Sequence, residues 1–336
     1  MLIIYKKGKI VYQTRLFQTF VYPPLAFLLL PLRSLVIFLQ ILFHTYRLNS
    51  LYGPFDIYFT VNAFIAWTGI ILRNLGLVKK TVFWVWDYYP PIDKNKIVMF
   101  MRWLYWQFDK PASQKADSVV FLNHNLLKLR KRLGILPSRK HYEIVEIGTN
   151  PVVKHTKKNT KKKVRIVFLG VLKKIQGLDL FFDAASLIYR KHPNISLDII
   201  GGGPDEVYFQ KRAHTIPIPV TFHGYIADES CVDRIISKCH IGIAPYKPDK
   251  SNCMYFTDPS KIKRYIGLGL PVITTNVFEF SKKIDTYHAG FVIPYTPQAL
   301  SNAIDISIKN YSKLAKQAYS LSRQYYYASL YEKLFK

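Results

Sequence analysis

The sequence predicts an α/β protein of two domains built on parallel sheets, and three observations carry that prediction. Through the C-terminal half, β-branched apolar runs alternate with helix-patterned stretches, the order of repeated βαβ units whose sheet is covered on both faces. Glycines stand where those runs end, at Gly170 and at Gly201 to Gly203. Finally, 336 residues with 49% hydrophobic content exceed one typical core, so the chain divides.

The elements follow in order. Residues 16–46, "LFQTFVYPPLAFLLLPLRSLVIFLQILFHTY", are apolar, but Pro23, Pro24, Pro31 and Arg33 interrupt them. A spanning helix needs roughly 20 unbroken apolar residues, and no small-residue cleavage site follows. The segment therefore reads as a buried helix pair or as one lying in a membrane interface, with Arg33 and Arg47 at the headgroups. "FDIYFTV" (55–61), "TVFWVWD" (81–87) and "DSVVFLN" (117–123) are strand candidates, and "IVEIGTN" (144–150) ends in a turn. "KHTKKNTKKK" (154–163) is apolar-free and reads as an exposed linker. It separates an N-terminal domain, 1–153, from a C-terminal one, 164–336. In the latter, strands are expected at 164–170, 195–204, 220–226, 241–246 and 271–275. Helices are expected at 178–193, 229–240 and 259–268, with long helical material from 297 onward.

Charge narrows the partners. Lys and Arg number 48 against 21 Asp and Glu, a formal +27, which suits nucleic acid, an anionic membrane face or a polyanionic small substrate. The basic residues are scattered, and no helix shows a continuous basic stripe with a known motif, which excludes nucleic acid. Cys231, Cys239 and Cys253 are odd in number and lack CxxC spacing. Neither a disulfide framework nor a zinc site is indicated, and a reducing compartment fits.

Three stretches could carry chemistry. In "FLGVLKKIQGLD" (168–179) a strand ends at Gly170, Lys173 and Lys174 follow, and Gly177 opens a helix. Such a loop is either an anion site of backbone amides and lysines or an ordinary βα connection. "IIGGGPD" (199–205) invites a dinucleotide reading, but Glu206 stands where the last glycine of GxGxxG belongs, which argues against hydride transfer. "DPSKIKRYIGLGLPVITT" (258–275) starts a helix that Asp258 or Ser260 can cap, with Pro259 in its first turn. Cations at a helix N-terminus are unfavourable unless an anion joins them, so Lys261 there points to an anionic ligand. Gly269-Leu270-Pro271 then closes the helix onto a strand.

Taken together, "G-x(6)-G-x-D" (170–179), "LDIIGGGP" (197–204), "VTFHGYI", "HIGIAPY" and "DPSKIKRYIGLGLPVITT" resemble, in order and spacing, the GT-B glycosyltransferases, most of all the retaining family 4 (glycosyl transferases group 1). "GPFDIYFTVN", "TVFWVWDYYPP", "KADSVVFLN" and "EIGTN" are similar to N-terminal domains of a subset whose loop reads D-Y-x-P. The resemblance implies two Rossmann-like domains facing across a cleft. The second would bind a nucleotide-diphosphate sugar and the first would admit the acceptor, a glycan or lipid-linked glycan of the cell envelope. The sugar would move with retention and without a metal or other cofactor. The nucleotide site would comprise Gly170, Val171, Gly177, Gly202, Gly203, Pro245, Tyr246, Asp258, Ser260 and Arg264.

Departures from the family pattern are specific. Val171 and Gln176 stand where its diphosphate-binding arginine and lysine belong. Phe256 and Arg264 replace its Glu-x7-Glu pair, and arginine cannot accept the ribose hydrogen bonds that the second glutamate takes. The family's first strand and glycine-rich acceptor loop have no match before residue 50, so either the chain begins late or that element is replaced. Lys173, Lys174 and Lys261 are the expected phosphate cations, stabilising charge on the leaving diphosphate. Asp87 either orients a sugar hydroxyl or caps the helix after "DYYPP". The lost positions also allow an alternative, an inactive homologue serving as a binding or assembly partner. Its place, on either reading, would be the cytoplasmic face of an anionic membrane.

Overall fold

In the computed structural model, residues 2–7, 9–17, 30–86, 88–89, 95–137, 142–150, 160, 163–249 and 253–335 are described. Contacts divide the chain into two units, residues 1–145 with Phe335, and residues 146–334. Residues 146–150, which the sequence places with the N-terminal half, pack with the C-terminal unit. The lysine-rich stretch lies almost wholly outside the described residues.

The N-terminal unit opens with an antiparallel hairpin, β1 (Leu2–Lys6) and β2 (Lys9–Thr14). The helix α1 (Leu30–Tyr52) follows, then β3 (Phe55–Thr60), α2 (Ala63–Asn74), β4 (Val78–Val85), α3 (Lys96–Lys115), β5 (Ser118–Phe121), α4 (His124–Arg132) and β6 (Tyr142–Ile144). Strands β3-β4-β5-β6 form one parallel sheet in sequence order. The last five residues of its second strand, "TVFWV", are all buried, the pattern of a strand covered on both faces. Asparagine starts each following helix: the side chains of Asn62, Asn95 and Asn123 accept first-turn N–H groups of α2, α3 and α4. Each such cap is worth about 1 kcal/mol. Arg130 of α4 is wholly buried against Asp109 of α3, Nη2 donating to Oδ1 at 3.0 Å, and so ties the two helices together.

Only residues 16–17 and 30–46 of the apolar segment 16–46 are described, so the expected helix pair falls partly outside them. From Leu30 the segment is one helix, with Pro31 in the first turn, where a missing N–H costs nothing. No helix among the described residues is long and apolar enough to cross a membrane. Residues 18–29 lie outside the described residues.

The C-terminal unit contains β7 (Val164–Leu169), α5 (Asp179–Lys191), β8 (Ile195–Ile200), α6 (Glu206–Ala213), β9 (Val220–Phe222), α7 (Glu229–Ile236), β10 (Ile241–Ala244), α8 (Ser260–Gly267) and β11 (Val272–Thr275). After them come α9 (Ser281–Thr286), β12 (Gly290–Ile293), α10 (Pro297–Lys309), α11 (Tyr311–Ser322) and α12 (Tyr327–Tyr331). Six parallel strands pair in the order β12-β11-β10-β7-β8-β9. The chain builds outward from β7 in one direction, then returns to β10 and builds in the other. The switch point therefore lies between β7 and β10, and a ligand crevice is expected at their carboxyl ends. Ile166, Phe168, Leu197, Ile199, Ile241 and Ile243 fill the core beneath it.

Candidate nucleotide-sugar site

A cavity of about 380 Å³ opens at that switch point. Leu169 and Gly170 line it from the end of β7, Ser260, Lys261 and Arg264 from α8, Glu229 and Asp233 from α7, and Gly148 to Asn150 from the segment that enters the unit. Of the residues that the sequence singles out, Gly170, Ser260, Lys261 and Arg264 thus meet in one hollow.

Lys261 is its central cation. The ammonium sits 4.8 Å from the Phe168 ring centroid and 4.6 Å from that of Tyr246, and donates to Gln176 Oε1 at 2.9 Å. A Cβ at Gly170 would come within 2.5 Å of Nζ, so the glycine makes room for the ammonium at the strand end. Among the described residues no carboxylate pairs with it. Desolvation pushes it down from the ordinary lysine value to about 7, an expensive arrangement unless a ligand anion completes it. Gln176 stands where the resemblance expects a lysine. The amide now accepts from a lysine delivered by α8 instead.

At the other end, Arg264 Nε donates to Asp233 Oδ1 at 2.6 Å, Nη2 donates to the Glu229 carbonyl at 2.8 Å, and the guanidinium pairs with the Glu229 carboxylate. Glu229 and Asp233 are a turn apart on α7. Sequence reasoning passed them over, although their i, i+4 spacing on an amphipathic helix was the available signal.

The structure places the other described site residues around this cavity rather than in its lining. Lys173 and Lys174 are exposed and do not line the cavity. The Lys174 ammonium lies 4.1 Å over the Tyr208 ring, and the Lys174 backbone N–H donates to Asp205 Oδ2 at 2.9 Å, which holds the residue beside α6. Gly203 lets two loops touch, because a Cβ there would stand 2.6 Å from the Leu172 carbonyl oxygen; Gly202 borders Glu206. Gly203→Ala therefore forces the loops apart, and melting curves should show a loss of about 1–3 kcal/mol. Gly177 has φ +78 and packs on the Pro245 carbonyl. Tyr246 is buried and floors the Lys261 site, whereas Val171 is exposed. Asp87 lies outside the described residues.

Asp258 corrects a further expectation. It does not cap α8, whose preceding residue Pro259 makes no side-chain cap bond, and neither does Ser260. Its buried carboxylate instead accepts from Lys263 Nζ at 2.5 Å and from the Ile147 N–H at 2.6 Å. Lys263 also reaches Glu146 Oε2 at 3.2 Å, and Lys283 donates to Glu146 Oε1 at 3.0 Å and to the Tyr325 hydroxyl at 2.5 Å. Lys263 and Lys283 hold Glu146 below the usual carboxylate range against its burial, while desolvation raises Asp258 to about 6. This network pins residues 146–150 beside α8. A Cβ at Gly267 would stand 2.6 Å from Thr149 Oγ1, so the glycine admits that segment to the cavity wall.

Residues 163–310 match the family described as "Glycosyl transferases group 1". Among solved structures, Anabaena HepE in complex with UDP is similar at TM-score 0.66 and 13% identity, covering 91% of this chain and 82% of its own. Sucrose-phosphate synthase from Thermosynechococcus elongatus is similar at TM-score 0.66 and 16% identity, covering 94% and 81%. WaaG, described as a glycosyltransferase involved in lipopolysaccharide biosynthesis, is similar at TM-score 0.59 and 16% identity, with 80% of each chain covered. No curated protein matches the chain in sequence. At these identities the likeness establishes the fold, the GT-B fold of two Rossmann-like units.

Proposed function

We propose that the chain is a retaining glycosyltransferase that moves a sugar from a nucleotide-diphosphate sugar to a glycan or lipid-linked acceptor during cell-envelope assembly. The observation that carries this reading is Lys261, a desolvated ammonium with no carboxylate partner among the described residues, set at the switch point beside Gly170. A diphosphate there would restore the charge balance. In the transfer step the bond from the anomeric carbon to the β-phosphate oxygen breaks, negative charge grows on the departing diphosphate, and an acceptor hydroxyl oxygen bonds to the anomeric carbon as its proton passes to that diphosphate. The Lys261 ammonium would stabilise that charge. A well-placed donor of this kind is worth roughly 3–4 kcal/mol. Glu229 and Asp233, in the same cavity, can accept hydrogen bonds from ribose hydroxyls, which Arg264 cannot.

The group 1 match and the UDP and UDP-glucose complexes of HepE support a nucleotide-sugar donor. Retention, independence from metals, the envelope acceptor and a seat at the cytoplasmic face of the membrane belong to this proposal. A second reading, a weak or inactive homologue acting as an assembly partner, is favoured by one observation: Arg264 is locked to Glu229 and Asp233 while Lys173 and Lys174 stand outside the cavity.

Calorimetric titration with UDP, GDP and ADP in turn separates the two. The enzyme reading expects one of them to bind at one site per chain with a dissociation constant at or below roughly millimolar, an affinity of about 4 kcal/mol or more. Dilution heats alone for all three would leave the assembly-partner reading standing.

A further inference from the structure

We propose that the outer face of α1, together with the β1–β2 hairpin, is a docking surface for an anionic lipid bilayer, on which the protein lies without crossing it. The inner side of α1 buries Ile41 with Leu72, Leu77 and Val78, and packs Ile37 and Leu42 against the same cluster. A surface helix so anchored carries polar residues on its other side. Instead, Leu32, Leu35, Leu39, Phe43 and Tyr46 are each between 52% and 72% exposed. Their spacing of three and four residues sets them in one line, roughly 20 Å long at the rise of an α-helix. The hairpin adjoins this line, since the Tyr12 hydroxyl and His44 Nδ1 are 2.9 Å apart, and it exposes Tyr5 and Ile10.

Charge identifies the occupant. Residues 1–55 contain Lys6, Lys7, Lys9, Arg15, Arg33 and Arg47 and no Asp or Glu. A second copy of this face would bring like charges together across the same apolar line. An anionic leaflet meets both features at once, headgroup phosphates taking the cations and acyl chains taking the stripe, in the manner of an interfacial amphipathic helix. α1 is not apolar enough to span, which fits a helix lying in the plane.

The inference deepens the proposal of a lipid-linked acceptor and rests on it for its purpose, but its measurement needs neither donor nor transfer. The purified full chain is floated with phosphatidylcholine vesicles, with and without about 30% phosphatidylglycerol, at low and high salt. Binding is expected only with phosphatidylglycerol. It should weaken with salt and fall at least about tenfold in the double variant Leu35→Glu with Phe43→Glu. Both positions are exposed, so an unchanged melting curve controls for folding. Tyr46→Trp adds a local readout as a difference spectrum against the parent, which holds five tryptophans of its own: the added emission should shift to the blue on phosphatidylglycerol vesicles. Failure to bind them overturns the inference, as does binding that the double variant leaves intact. A dimer in sedimentation that the double variant dissolves would assign the face to a second copy instead. Loss of nucleotide binding alone would leave this inference untouched, and loss of vesicle binding alone would leave the donor site untouched.

Discussion

Lys263→Met is expected to lower the unfolding free energy of the C-terminal unit by about 3–5 kcal/mol, the cost of removing one partner from a buried ion pair. Lys263 has no exposed side-chain surface, and its ammonium faces Asp258 at 2.5 Å and Glu146 at 3.2 Å. Methionine fills the space, so the loss is electrostatic: two carboxylates remain in a site that one of them already finds costly. The sign with pH follows from Asp258. Its folded pKa of about 6 is raised by desolvation, so the folded state holds that proton more tightly than the unfolded chain. The penalty from its ionised form is absent at low pH and grows as pH rises through about 6. Without Lys263, which pulls Asp258 downward, that penalty deepens. Urea titrations should therefore show the widest gap between variant and parent at about pH 7.5 and a narrower one at about pH 5. Adding Asp258→Asn should recover part of the loss. A gap that is flat with pH, or smaller than about 1 kcal/mol, would remove the network from the account of stability.

Much of the fold was legible because its signals are local. β7, β8 and β10 read as apolar runs, Pro193 closes α5, and Gly269 with Pro271 turns α8 onto β11. The place of Lys261 in the first turn of α8 was legible for the same reason. What the sequence could not show is which residues meet across long separations. Lys263 and Glu146 are 117 positions apart, and Lys261 and Gln176 are 85 apart. The partners of three neighbouring cations on one helix were therefore hidden: Lys263 is paired with buried acids, Arg264 with acids on α7, and Lys261 with none among the described residues. Residues 146–150 were assigned by proximity to the lysine-rich stretch, whereas their partners are α8 and the C-terminal helices. The triple glycine was ambiguous for a physical reason: glycine serves close backbone approach whether the neighbour is a ligand or another loop, and at Gly203 one such neighbour is the loop at Leu172.

Lys261→Met should weaken nucleoside diphosphate binding about 10- to 100-fold, the range expected for losing a hydrogen bond to a charged group. The same change should leave the melting temperature unchanged or higher. That pairing of effects distinguishes a binding cation from a scaffold one, because Lys263 sits in the same helix and predicts the reverse. The groups facing Lys261 are the Gln176 amide and the Phe168 and Tyr246 rings, while Glu229 and Asp233 in the same cavity are engaged with Arg264. With a folded pKa held down to about 7, the ammonium is lost as pH rises through 7, whereas the unfolded chain keeps its proton to the ordinary lysine value. Over that window this residue makes the protein more stable as pH rises. Diphosphate binding runs the other way: the ligand needs the charged form and raises its pKa, so affinity should fall above about pH 7, with uptake of close to one proton at about pH 8. Calorimetry in two buffers of different ionisation enthalpy reads that proton directly. If binding took up no proton in the parent, or if Lys261→Met bound as tightly, the diphosphate would have to sit elsewhere in the unit.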